Sequence, residues 1–597
     1  MRSARRFRRT AAIVAAAMAI SAAWTVSVAY AVEGEQDMKT IDVRDFGAAP
    51  DDGQDDTMAV QAALQAAREQ GASRVVFPAG RYDFHVGANE AAPNVAIQAN
   101  ELADVTIAGE DAELILHGHL SCFVLYKCRN VTVQGFTIDC ATMPFSQGDV
   151  IAVGDNHVDV RVHDNYPVSG GEPVQAVNDY DRETRRRVPR GADIYWSVDG
   201  TELIAPQTLR LQTGWRFNLE PGALVLLRHQ VYGYNAFTIH ECENVTVRDN
   251  VIYTVPGMGV TGSYSRDITV ERVKILRRPG TDRLMSATAD GSHFGGCLGK
   301  VIVRDCEFEY QGDDAVNAKH GLYLTILERL DDRTVRAKHN LDMQHSPRIG
   351  ERLELRSAET VVPFGVARVA EVETEEDGFT YRIGFEEALP EDAQAEALLG
   401  CFERNAEFLI QNCIFRGNRA RGLLIQVHGA TVENCTFDGC TNGAIYLVSD
   451  TVHFYECSPA RNVVIRNNRF VNCNTQGSNE GVIGVFGWRS DWSELPKPGV
   501  FQNIRIESNR IEETDGAALY INGADGVEIV GNRISGVARA PRGDRGKAAV
   551  WISASRNVRL TGNTARAEDQ HADCAEIVTI TDTAERDSIE ITDNTGF

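Results

Sequence analysis

A nine-residue pattern recurs eleven times along the chain, and a sequence built this way has few folds open to it. Most copies alternate β-branched residues, pass through an Asn or Cys, and end on an apolar residue. It reads NVTVQGFTI from Asn130, NVTVRDNVI from Asn244, DITVERVKI from Asp267, KVIVRDCEF from Lys300 and EFLIQNCIF from Glu407. It continues as GATVENCTF from Gly429, NVVIRNNRF from Asn462, NIRIESNRI from Asn503, GVEIVGNRI from Gly526, NVRLTGNTA from Asn557 and SIEITDNTG from Ser588. The steps between first apolar residues include 23 (Val245 to Ile268, Ile504 to Val527) and 33 (Ile268 to Val301, Ala430 to Val463). Short period-2 strands separated by Asn and Gly turns at this interval predict an all-β chain: a right-handed, single-stranded parallel β-helix. Each coil then buries its inward residues against the coils above and below.

Asn250, Cys306, Cys413, Cys435, Asn468, Asn509 and Asn532 take equivalent turn positions in this register. The asparagines are expected to stack and satisfy backbone groups along the axis. The cysteines among them read as buried thiols in the same column rather than as disulfides, and the total of 13 is odd.

Two intervals break the rhythm, 114 residues from Val131 to Val245 and 107 from Val301 to Phe408. They predict small inserted β subdomains over 158–228 and 322–400, both barrel-like in their alternation, as in RLELR, VARVAEVE and FTYRIGF of the second. Insertions on a solenoid sit beside one face, where they wall a cleft. Nearer the start, Asp56 or Thr57 is the N-cap of an Ala-rich helix running to Gln70 and stopped by Gly71, placed to cap the first coil.

Residues 1–31 carry five arginines, an apolar run and the small-x-small end Ala29-Tyr30-Ala31, the pattern of a signal peptide cleaved after Ala31. The expectation is a secreted protein whose β-helix occupies 32–597. The cleavage-like end argues against a membrane anchor, and no later stretch is apolar for long enough to span. The formal charge of −24 excludes a nucleic-acid partner held by phosphate neutralisation and disfavours anionic polysaccharides such as pectin. Neutral glycans and peptides stay open. Dense Cys spacing is missing, so no metal site and no cofactor are expected.

Aligning the strand that follows each repeat puts GMGV from Gly257, DGSHF from Asp290, DDAVN from Asp313 and ARGLLI from Ala420 in register. Asp290 and Asp314 then share a column one coil apart, Asp313 precedes Asp314, and Arg421 follows in the next coil. Carboxylates one strand spacing apart, ~4.8 Å, repel, so one of them is driven towards its protonated form. That is what a general acid beside a general base requires, and glycosidases commonly use such a pair. The structural alternative is an Asx turn, which fits Asp515-Gly516 in the same column. Around the acids, His293, Asn317 and His320 are candidates for substrate contact, as are Arg419, Arg421 and Glu456. Each also has a purely structural reading.

The motifs ADGSHF from Ala289, QGDDAVN from Gln311 and NRARGLLI from Asn418, with a start that resembles pectate-lyase-like β-helix proteins, resemble glycoside hydrolase family 110. The resemblance implies an exo-acting, inverting α-1,3-galactosidase that frees terminal galactose from blood-group-B-type glycans, with linear α-1,3-galactosyl glycans open as further substrates. Its partner would be a galactose-terminated oligosaccharide or glycoconjugate; oligomeric state is left open. The family is similar in its active site to inverting polygalacturonases, which implies Asp313 as general acid and Asp290 and Asp314 as the pair that positions and deprotonates water. The Gly-His-Gly and Arg-x-Lys elements of polygalacturonases are not recognisable here. Competing readings are a uronate-active hydrolase or lyase on the same fold and a non-catalytic glycan-binding β-helix.

Overall fold

The structure, a computed structural model, describes residues 39–320, 323–339, 346–451, 458–489, 491 and 493–597. The expected signal peptide and Glu456 lie outside the described residues.

The chain is a parallel β-helix. Most repeats supply a strand and a shorter one after it, such as Glu243–Arg248 and Val251–Ile252, to a 23-stranded sheet. A further strand, such as Val260–Ser263, joins a 12-stranded sheet on the remaining face. Register is strict: Val245 pairs with Val131 on one side and Ile268 on the other, in parallel. Every second residue is therefore delivered inward, and these residues form one continuous apolar core in which Phe308, Phe415, Phe437 and Phe470 stack at 4.7–5.5 Å between neighbouring rings.

The polar positions of the repeat have separate physical causes. Its first residue turns the chain with positive φ, as at Asn130, Asn244, Asp267, Asn462, Asn503 and Asn557. Its sixth does the same at Asp249, Asp305, Asn412, Asn434 and Asn467. Asn and Asp tolerate this left-handed region better than other side-chain-bearing residues. Its seventh forms the expected ladder. The backbone N–H of Cys435 donates to Asn468 Oδ1 at 2.9 Å, and those of Asn468, Asn509, Asn532 and Asn563 each donate to the Asn amide oxygen one coil on, at 2.8–3.0 Å. Each Asn amide nitrogen returns the bond to a carbonyl of the preceding coil, Asn509 to Ile465 and Asn532 to Ile506, both at 2.8 Å. Among the described residues every cysteine is an unpaired thiol, and all but Cys574 are buried.

The capping helix spans Thr57–Gln70 and ends on Gly71 at φ 60°. It buries Val60, Ala63, Leu64 and Ala67 against the first coil. Asp56 is its N-cap residue but makes no capping bond; its carboxylate accepts instead from the N–H groups of Ala49 and Asp83, while Asp55 accepts from Thr57 N–H. No described helix is long and apolar enough to cross a membrane.

Both long intervals hold antiparallel β-structure. The first is an open seven-stranded sheet that begins at Phe145–Val153, ahead of the expected 158, and ends at Leu224–Arg228. Its first strand, FSQGDVIAV, follows directly on the coil strand Arg129–Cys140, so nothing in its pattern marks a boundary. The second is a closed six-stranded barrel from Tyr323–Arg329 to Leu398–Cys401. Bonds to coil residues dock both: Arg186 forks onto Asp438 at 2.9 and 3.0 Å, and the barrel's buried Glu354 accepts from Arg461 at 2.7 Å.

The ladder is a stability device that can be tested. Asn532→Ala removes the oxygen that accepts from both nitrogens of Asn509, leaving buried donors unmet at about 1–3 kcal/mol each. Urea unfolding should show a correspondingly lower midpoint.

Candidate active site

The parallel register carries the acids to one place. Ser292 pairs with Val316, and Val316 with Leu423, which puts Asp290, Asp314 and Arg421 at equivalent positions of three successive coils. Asp314 N–H donates to Asp290 Oδ1 at 3.1 Å, and Arg421 N–H to Asp314 Oδ1 at 2.9 Å, so each carboxylate caps the turn of the coil after it. Both the turn reading and the acid-cluster reading thus describe the same side chains. Oxygens of Asp290, Asp313 and Asp314 lie within 4.8 Å of one another. Among the described residues no such carboxylate group forms at Asp515, whose carboxylate is tied to Arg539 at 2.6 Å.

The three acids differ in surroundings. Asp290 is 4% exposed, and its Oδ2 lies 2.7 Å from His293 Nδ1. Asp314 is 1% exposed and takes a second bond from the Arg421 guanidinium at 2.6 Å. Burial pushes its carboxyl up to about 7; Arg421 opposes the rise, while the Asp313 and Asp290 charges add to it. Asp313 is less buried and accepts from Tyr232 Oη at 2.7 Å and from Arg419 at 3.3 Å. Burial and the Asp313 charge push the Tyr232 hydroxyl well above the ordinary phenol range, so it remains a donor.

Close packing fixes the turn that carries Asp313. The fully buried Arg228 guanidinium donates to the carbonyls of Thr288 and Gly312, both at 2.9 Å, and bonds the Tyr195 hydroxyl. A Cβ on Gly312 would fall 2.1 Å from Thr288 O and 2.6 Å from the Arg228 guanidinium, which only glycine avoids.

Of the expected substrate contacts, His293 and Asn317 stand side by side in the 12-stranded sheet. The buried Asn317 amide oxygen has no hydrogen-bond partner among the described residues. A cleft of about 630 Å³ opens beside His293, lined also by His240, Thr261, Ser263, Tyr264 and Lys319. Arg419 and Arg421 reach Asp313 and Asp314 directly. His320 is placed differently: its ring packs 5.2 Å from that of His428, beside the Glu354–Arg356 pair of the barrel, and burial holds it neutral. Tyr232, Tyr195, Arg228 and Asp193 were not foreseeable, because they lie in or just after the first insert and no motif marks them.

Three clustered carboxylates are a donor set that divalent cations favour. Here the arginines of the next coil set positive charge against two of them, Arg419 against Asp313 and Arg421 against Asp314.

A parallel β-helix with an arginine-backed acidic cluster on its outer face is the class that fold and site define. Residues 40–100 match the family described as rhamnogalacturonase A/epimerase, pectate lyase-like, and residues 399–482 match the right-handed β-helix region. The chain is 27% identical over 543 residues to α-1,3-galactosidase A of Bacteroides fragilis, covering 85% of this chain and 89% of that one. It is 27% identical over 541 residues to α-1,3-galactosidase B of Bacteroides thetaiotaomicron, covering 83% and 86%. Among solved structures, a family 28 exopolygalacturonase of Yersinia enterocolitica aligns with a TM-score of 0.46 at 12% identity, over 94% of this chain and 79% of that one. The resemblance to the α-1,3-galactosidases therefore extends over most of the chain, well beyond the three cleft motifs.

Two predictions follow from the geometry. Asp314 has its carboxyl raised from 3.8 to about 7 in the folded state, so the native state holds a proton the unfolded chain has released between those values. This group's contribution to stability is full below about pH 4 and is lost as pH rises through about 7. Asp314→Asn should flatten that fall in melting temperature between pH 4 and 8. Gly312→Ala should lower turnover by about 10²-fold or more by displacing Asp313, while circular dichroism shows the β-helix retained.

Proposed function

We propose that this protein is a secreted, exo-acting, inverting α-galactosidase that releases terminal α-1,3-linked galactose from blood-group-B-type glycans, with linear α-1,3-galactosyl glycans open as further substrates. The observation that carries the reading is the convergence of Asp290, Asp313 and Asp314, each with a different set of partners, in a chain similar over most of its length to α-1,3-galactosidases.

The roles follow from access and bonding. Asp313 is the carboxyl of the three with the most open face, and it is the general acid: its proton passes to the glycosidic oxygen as the bond from that oxygen to the galactose anomeric carbon breaks. The carboxylate left behind is met by the Tyr232 hydroxyl and Arg419. Water forms the new bond to the anomeric carbon and gives its proton to the Asp290–Asp314 pair. Burial suits Asp314 to this task, since a carboxylate that binds a proton near pH 7 is a stronger base than an exposed one.

The acids stand closer than the ~6.5–9.5 Å usual for inverting pairs. Access supports water as the attacking group all the same. Arg421 holds both Asp314 oxygens, and His293 and the Asp314 N–H hold Asp290, so the pair is fixed in place with lone pairs left to accept from a water. His293, Asn317, Thr261 and Ser263 offer the hydroxyl partners a neutral sugar requires.

Proton NMR of the protein with a galactose-α-1,3-galactose disaccharide and, in parallel, the fucosylated B trisaccharide tests the proposal. β-Galactose should appear first. First release of the α-anomer would point to a retaining route, and an unsaturated product absorbing in the ultraviolet would point to a uronate lyase. Asp290→Asn, Asp313→Asn and Asp314→Asn should each lower turnover by about 10²-fold or more with folding intact.

A further inference from the structure

The first inserted sheet reaches the site through Arg228, at the end of its strand Leu224–Arg228, and through the strand Asp193–Tyr195. Arg419 lies between this strand and Asp313. Its guanidinium makes a fork on Asp193, with Nε 3.0 Å from Oδ1 and a terminal nitrogen 2.8 Å from Oδ2. Its plane lies over the Tyr195 ring, with Cζ 4.4 Å from the centroid. Its other terminal nitrogen makes the single, longer contact of 3.3 Å to Asp313. Asp193 is itself fixed, accepting from Asn178 at 2.9 Å and lying 3.8 Å from Arg187.

We infer that Asp193 is a positioning residue for the general acid, acting through Arg419. Arginine's strongest engagement with a carboxylate is the two-bond fork. In this site the fork is spent on Asp193, which also balances the arginine's charge. Asp313 receives only one nitrogen: enough to steady the carboxylate once it has given up its proton, and too little to capture it beforehand. Without the Asp193 charge, Arg419 is free to swing its fork onto Asp313 and hold it as the anion, which has no proton to donate. The insert thus completes the acid half of the site, and the reason for its docking there is chemical as well as mechanical. The Tyr232 bond to Asp313 and the Arg421 bond to Asp314 involve neither Asp193 nor the inserted strand, so they persist in the variant.

This inference rests on the reading of Asp313 as general acid, and leaving-group dependence separates the two. A nitrophenolate departs without needing a proton, whereas a sugar alkoxide does not. Turnover of p-nitrophenyl α-galactoside and of the α-1,3-linked disaccharide should be compared in wild type, Asp193→Asn, Asp193→Glu and Asp313→Asn, with melting temperatures alongside. Asp193→Asn is expected to lose at least about tenfold more on the disaccharide than on the aryl galactoside. Asp193→Glu, which restores the charge, should recover part of that difference. Equal losses on both substrates would make Asp193 merely structural, and no loss on either would make it irrelevant; both overturn the inference. If Asp313→Asn fails to discriminate between the substrates, the assignment of the acid itself falls. If it discriminates and Asp193→Asn does not, only the inference falls.

Discussion

Parallel stacking of one coil on the next, in fixed register, is the constraint on which everything else in this protein depends. Residues far apart in sequence become neighbours at one strand spacing, ~4.8 Å, provided they occupy the same position in successive coils. The apolar column, the asparagine ladder and the acidic cluster are the same device applied to different side chains. In the ladder each amide closes two backbone bonds that water cannot reach. In the cluster Asp290 and Asp314 do the same turn-capping work and are left, by that work, beside one another.

The energetic tension of the site lies in that arrangement. Asp290 and Asp314 are buried side by side, which by itself disfavours ionisation of either. The Arg421 guanidinium and backbone N–H, together with His293, offset the cost without abolishing it, and the Asp314 carboxyl settles near neutral pH. Asp313 escapes the same burial because it precedes the column by one residue. A single-residue offset within the turn thus leaves Asp313 with a more open face than the Asp290–Asp314 pair behind it.

Much of this was readable in the sequence, for a physical reason. The solenoid repeats its backbone geometry, so the repeat reports strands, turns and register together. Knowing the register, Asp290, Asp314 and Arg421 can be aligned without a structure. The capping helix was equally legible from Gly71 and the Ala-rich face, although Asp56 puts its carboxylate to a tertiary use that local sequence does not reveal. What stayed hidden depends on how non-repeating segments fold back. Asp193, Tyr195 and Tyr232 belong to the first insert or the segment just after it, and only tertiary packing brings them to Asp313. His320 shows the converse: a place three residues after Asn317 suggested a role in the site, but the chain turns into the barrel there and the ring packs on His428.

The central claim is that a terminal galactose is held with its glycosidic oxygen at Asp313 and its anomeric carbon facing the Asp290–Asp314 pair. A crystal structure of the Asp313→Asn variant with the B trisaccharide bound tests it directly. The account predicts the glycosidic oxygen within hydrogen-bond distance of residue 313, with a water held by Asp290 and Asp314 on the opposite side of the anomeric carbon. A trisaccharide bound away from these three residues, or seated with a carboxylate oxygen of Asp290 or Asp314 directly against the anomeric carbon and no room for water, would contradict it.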